Sequence, residues 1–212
     1  MYLFNISQTS TALNIENIFN TINLPIESLY IINDSFHGTP NYSKLPNLKF
    51  LYIEKCDIRS SFNFNFLENL ETLYLNNTSF YLRDGEISDF SQLRSIKTLY
   101  IHTDGDSGYG FPLWLKLANL CNLTSLTLKI GDISNITFNG LYNIKNLDVS
   151  SCSNMNPSLV FLLKRLEHLI TLKYRGIVYG NDELRNVTLK YLYSGCAKTI
   201  QEMLEFGINI RD

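Results

Sequence analysis

LKFLYIEKCDI at residues 48–58 and LETLYLNNTSF at residues 70–80 are two copies of one eleven-position pattern, apolar-x-x-Leu-x-apolar-x-x-z-x-apolar. Five further copies begin at Ile26, Ile96, Leu123, Ile144 and Leu169, so the starts fall 22, 22, 26, 27, 21 and 25 residues apart. Self-similarity at a spacing of roughly 20–29 residues predicts a solenoid, in which each turn of chain buries its apolar face only against its neighbours. Within each copy the Leu-x-apolar centre alternates with period two. That places the leucines inward and the residues between them outward on a short strand.

The copies resemble leucine-rich repeats of the intracellular, helix-backed kind, over about residues 24–180. The resemblance implies an α/β solenoid: a curved parallel sheet on the concave face, helices and irregular turns on the convex face, and helical caps at both ends. Residues 1–23 read as the N-terminal cap. Ile15, Ile18, Phe19 and Ile22 have helical spacing, and Tyr2, Phe4 and Ile6 alternate as a short edge strand. Residues 104–110 read as an exposed loop, and residues 111–120 as a convex-side helix with Trp114 beneath it. Residues 181–212 read as a helical C-terminal cap resembling a single degenerate ankyrin repeat, with Gly195 and Gly207 twelve apart and Ile200, Met203 and Leu204 facing inward.

The z position follows each strand and holds Asp34, Cys56, Thr78, Asp104, Gly131, Cys152 and Ile177. In the family pattern this residue serves the turn backbone of the next repeat. Ile177 has no polar group for that task, so the seventh copy is expected to close the array. Cys56 and Cys152 stand four strands apart, roughly 19 Å at ~4.8 Å per strand, beyond the ~7 Å reach of a disulfide. The four cysteines, with no paired metal-type spacing, read as buried thiols in a reducing compartment, and the expected location is the cytoplasm of the chain's own or a host cell.

Composition narrows the function further. A net charge of −2 supplies no electrostatic footprint for nucleic acid or an anionic membrane, and no run reaches the roughly 18 apolar residues of a spanning helix. The three histidines, His37, His102 and His168, form no metal-type or triad spacing, and no phosphate-binding loop is present. The expectation is a non-catalytic, monomeric protein-interaction module with no cofactor and no metal. Leucine-rich and ankyrin-like repeats together imply an effector-like host-interaction protein. The alternative is the substrate-recognition part of a multidomain enzyme such as a ubiquitin ligase.

On a stacked sheet, outward residues form columns. The central column reads Tyr30, Tyr52, Tyr74, Tyr100, Thr127, Asp148, Lys173, and the next reads Ile32, Glu54, Asn76, His102, Lys129, Ser150, Arg175. Tyrosine carries large amphipathic area at low entropy cost and is enriched at interface hot spots. Tyr30, Tyr52, Tyr74, Tyr100, Glu54, His102, Lys129, Lys173 and Arg175 are therefore the candidate partner-binding residues. The C-terminal half of the face is read as basic. The same ladder would also stabilise the sheet by cross-strand stacking, whatever it binds.

Overall fold

The computed structural model describes residues 3–7, 25–33, 35–36, 42–58, 64, 66–81, 87–103, 115–152, 159, 162, 165–174 and 177–179. In chain order its strands are β1 (Leu3–Ser7), β2 (Ser28–Ile32), β3 (Ser35–Phe36), β4 (Phe50–Glu54), β5 (Asp57–Ile58), β6 (Thr72–Asn76), β7 (Ser79–Phe80) and β8 (Ser88–Asp89). They continue with β9 (Thr98–His102), β10 (Leu115–Ala118), β11 (Ser125–Lys129), β12 (Ile136–Asn139), β13 (Asn146–Val149), β14 (Thr171–Tyr174) and β15 (Ile177–Tyr179). The front sheet has nine strands in the order β1-β2-β4-β6-β9-β11-β13-β14-β15, parallel up to β14. Two three-stranded parallel sheets back it, β3-β5-β7 and β8-β10-β12.

The molecule is thus a parallel β-solenoid of stacked coils, and the expected α/β architecture with helices behind the sheet is incorrect. Among the described residues only Leu159 and Leu162 have α-helical backbone, and a single 3-10 turn occupies Tyr42–Lys44. The expected helix over residues 111–120 is in its described part the strand β10. Leu115 and Leu117 alternate with exposed Lys116, and Leu117 pairs with Phe138 of β12. Period two was present in the sequence there, and it outweighs helix propensity once neighbouring coils offer a strand to pair with. In the described parts of the coils, the front strands and the short back strands alike stack in parallel at the ~4.8 Å spacing of paired strands.

Apolar ladders fill the interior, and four of them show how it is built. Leu29, Leu51, Leu73, Leu99, Leu126, Leu147 and Leu172 form one, and the strand residues two positions later form the second; all are buried. The upstream leucines 45, 67, 93, 120, 141 and 166 form the third, and each is also buried. Here Leu-x-x-apolar makes a tight turn: the N–H of Leu48 bonds the carbonyl of Leu45 at 3.1 Å, and Leu70 to Leu67, Ile96 to Leu93 and Leu123 to Leu120 repeat it at 3.0–3.2 Å. A three-residue repeat eclipses side chains i and i+3, so both point into the core. The fourth ladder, Tyr42, Phe64, Phe90, Leu117 and Phe138, has no place in the eleven-position pattern, yet every member is buried. Tyr42 and Phe64 stack at 6.4 Å between centroids, and Phe64 meets Phe90 at 4.9 Å. Burying each such side chain stabilises the fold by roughly 1.5–3 kcal/mol.

Hydrogen bonds bind coil to coil. At the entry of each front strand one carbonyl accepts two successive N–H groups from the next coil: Glu27 from Lys49 and Phe50, Lys49 from Glu71 and Thr72, Glu71 from Lys97 and Thr98, Lys97 from Thr124 and Ser125. Asparagine side chains join the preceding turns, with Nδ2 of Asn69, Asn122 and Asn143 donating to the carbonyls of Pro46, Arg94 and Cys121 at 2.6–2.9 Å. The buried thiols at z reach the preceding coil: Cys56 Sγ lies 3.8 Å from the Ile31 carbonyl, and 3.2 Å from the Glu54 carbonyl of its own coil, and Cys152 Sγ lies 3.5 Å from the Leu128 carbonyl. Both are free thiols, as their separation requires. Cys121, expected to be buried with them, is exposed.

The two ends of the front sheet differ. β1 pairs in parallel with β2 as its N-terminal edge strand, matching the alternation at residues 2–6. At the other end β15 pairs antiparallel with β14, with Ile177 opposite Tyr174, so parallel pairing among the described strands ends at β14. The helix expected around Ile15–Ile22, the 104–110 loop and the ankyrin-like residues 181–212 lie outside the described residues.

Candidate protein-binding face

Alternation and register together build the front face. Each five-residue front strand shows the burial order half-buried, buried, half-buried, buried, half-buried from β2 to β11. The second outward position of each strand pairs directly with that of the next: Tyr30 with Tyr52, Tyr52 with Tyr74, Tyr74 with Tyr100, Tyr100 with Thr127, Thr127 with Asp148 and Asp148 with Lys173. All seven coils are in the register expected from the sequence. A slip of one residue would have put leucines outside, which is why burial of one face pins the register so firmly.

The four tyrosine rings touch in series, with centroids 5.6, 6.1 and 5.3 Å apart and planes inclined by 40°, 41° and 34°. Phe50, which the two-column reading did not include, joins them. It occupies the first outward position of β4 and lies 5.2 Å from Tyr30 and 5.9 Å from Tyr74. Its signal was available as the one aromatic in a column otherwise made of Ser28, Thr72, Thr98, Ser125, Asn146 and Thr171.

A polar row runs beside the rings. Asn76 Nδ2 donates to the Tyr52 hydroxyl at 3.3 Å and to Glu54 Oε1 at 3.4 Å, while Asn76 Oδ1 lies 3.2 Å from His102 Nδ1. The His102 ring meets Tyr100 edge-on at 6.4 Å. Burial raises the Tyr52 phenol above its ordinary pKa, and the nearby Glu54 charge adds to this, against the Asn76 hydrogen bond. The hydroxyls of Tyr30, Tyr74 and Tyr100 have no hydrogen-bond partner in the described protein. Lys129 Nζ stands over the Tyr100 ring at 5.7 Å and has no carboxylate partner among the described residues.

The C-terminal half of the face, expected to be basic, is described at Lys129, Asp148 and Lys173. Lys173 pairs with Asp148 at 3.8 Å, and Asp148 also accepts from the Ser150 hydroxyl at 2.7 Å. Those two charges offset one another and leave Lys129 as the cation at the end of the aromatic ladder. Arg175 lies outside the described residues, as does His37. Beside the strands a further surface column alternates in sign, with Lys49 3.4 Å from Glu27 and Lys97 2.9 Å from Glu71. These pairs are about half exposed and contribute little beyond lateral solubility. Among the described residues no group of three His, Cys, Asp or Glu side chains could hold a metal ion, and no helix is long and apolar enough to cross a membrane. No protein-family model and no curated protein matches this chain.

Proposed function

We propose that this chain is a protein-interaction module, related to leucine-rich repeats in a strand-backed form, that takes its partner on the front face around Tyr30, Phe50, Tyr52, Tyr74 and Tyr100. The observation that carries this reading is the unbroken register of four half-buried tyrosines, a continuous row of amphipathic rings on one face. Glu54, His102, Lys129 and Lys173 border it and supply polar selectivity. A reducing compartment, such as the cytoplasm of its own or a host cell, is part of this proposal. The test is a pull-down with the double variant Tyr52→Ala/Tyr74→Ala alongside the unaltered chain, with folding checked by circular dichroism. Loss of the partner from an intact fold supports the reading, and undiminished recovery removes the ladder from the interface.

A further inference from the structure

We propose that the front face binds a proline-rich segment in polyproline II conformation, followed by acidic residues, lying across the strands with its acidic end at Lys129. The inference rests on the front-face reading above and assigns it a ligand class. Three observations select it.

The first is spacing. Rungs of the ladder repeat at about 4.8 Å along the sheet, so alternate rungs stand about 9.6 Å apart. A polyproline II helix advances about 9.3 Å per three-residue turn, which keeps it in step with alternate tyrosines to within about half an ångström over the ladder. An α-helix lying the same way advances about 5.4 Å per turn and drifts by roughly 2 Å over three intervals.

The second is hydrogen bonding. The Tyr30, Tyr74 and Tyr100 hydroxyls are donors without a partner among the described residues. A polyproline II segment has no internal hydrogen bonds, so its carbonyls can accept from them, while its proline rings pack on the outer edges of the inclined tyrosines. The carbonyls of an α-helix are already used. The rigid segment also loses little entropy on binding.

The third is charge. Lys129 closes the ladder, held over Tyr100 at 5.7 Å without a carboxylate partner among the described residues, whereas Lys173 is matched by Asp148. An acid following the prolines completes that position.

The test uses the full chain and fluorescence anisotropy with three labelled peptides: decaproline followed by two aspartates, decaproline followed by two lysines, and an amphipathic helical peptide of equal length. The aspartate peptide is expected to bind saturably and at least tenfold more tightly than the lysine peptide. Tyr74→Phe, which keeps the ring and removes one donor, is expected to weaken it two- to tenfold with the melting midpoint unchanged. Lys129→Ala is expected to abolish the preference for aspartate over lysine. No saturable binding of the aspartate peptide up to millimolar concentration overturns the proposal, as does an unaltered affinity in Tyr74→Phe. Binding of the helical peptide alone, lost in Tyr52→Ala/Tyr74→Ala, overturns the ligand class while leaving the front-face reading in place. Full partner recovery by that double variant in the pull-down removes both.

Discussion

Gly140→Ala, set against Gly131→Ala, tests how tightly adjacent coils approach. Gly140 has φ +75°, in the left-handed region, where a side chain costs roughly 1–2 kcal/mol. A Cβ there would lie 3.2 Å from Asn119 N and 3.3 Å from its Cα, inside the ~3.5–4.0 Å at which carbon contacts are comfortable. The obstacle is backbone of the neighbouring coil, tied in place because the Asn119 N–H donates to the Asn139 carbonyl at 2.9 Å. Relieving the contact adds about 1 kcal/mol, and the lower entropy of the unfolded alanine chain returns about 0.5. The net cost is about 2 kcal/mol. Gly131 has nothing within 4 Å of a built Cβ and no positive φ, so its alanine variant should be neutral or up to about 0.5 kcal/mol more stable. Urea unfolding followed by circular dichroism reads the difference as a midpoint about 1 M lower for Gly140→Ala at a slope near 2 kcal/mol/M. Equal midpoints, or a larger loss at Gly131, would refute the reasoning.

Other variants probe other parts of the stack. Phe66 stands at the same place in its coil as Gly140, with φ +72° and 62% of its surface exposed, so Phe66→Asn should raise stability by about 1 kcal/mol in the same urea assay. A fall would show that the exposed ring makes a contact that matters. Phe64→Ala opens the buried Tyr42–Phe64–Phe90 series and should cost about 3–5 kcal/mol. A thermal midpoint within 2 °C of the parent would contradict that. At pH 8 iodoacetamide should modify Cys121 while sparing Cys56 and Cys152 until the chain unfolds, which peptide mass spectrometry resolves. Burial lifts the Cys152 thiol to about 11, above the usual value near 9. Because the folded pKa is the higher one, this contribution to stability is whole below about pH 9 and is lost as pH rises through 11. Cys152→Ala should flatten the urea midpoint over that window, and an unchanged slope there would count against it.

How much was legible depends on the kind of information each feature needs. The period, the inward leucines and the register of the tyrosine column follow from a local rule repeated seven times: alternation puts every second side chain on one face, and burial forbids a slip. Ile177, singled out because it cannot serve a turn, lies in β15, where pairing among the described residues changes from parallel to antiparallel. The back wall was not legible. The alternation in residues 113–117 permits a strand paired with β8 and β12 but does not by itself exclude a helix under the sheet, because the deciding hydrogen bonds lie in coils some 21–27 residues away. The same holds for the charges. Lys173 and Asp148 look like separate members of a column until stacking brings them to 3.8 Å, and Lys129 stands at the ladder's end with no carboxylate partner among the described residues. Phe50 was visible as a lone aromatic among threonines and serines, but its closeness to both Tyr30 and Tyr74 is a fact of three coils at once. What the sequence by itself determined was the stack and the face its tyrosines share. What only the tertiary structure decided was what backs that face and which of its charges are already matched, because both depend on contacts between coils that are distant along the chain.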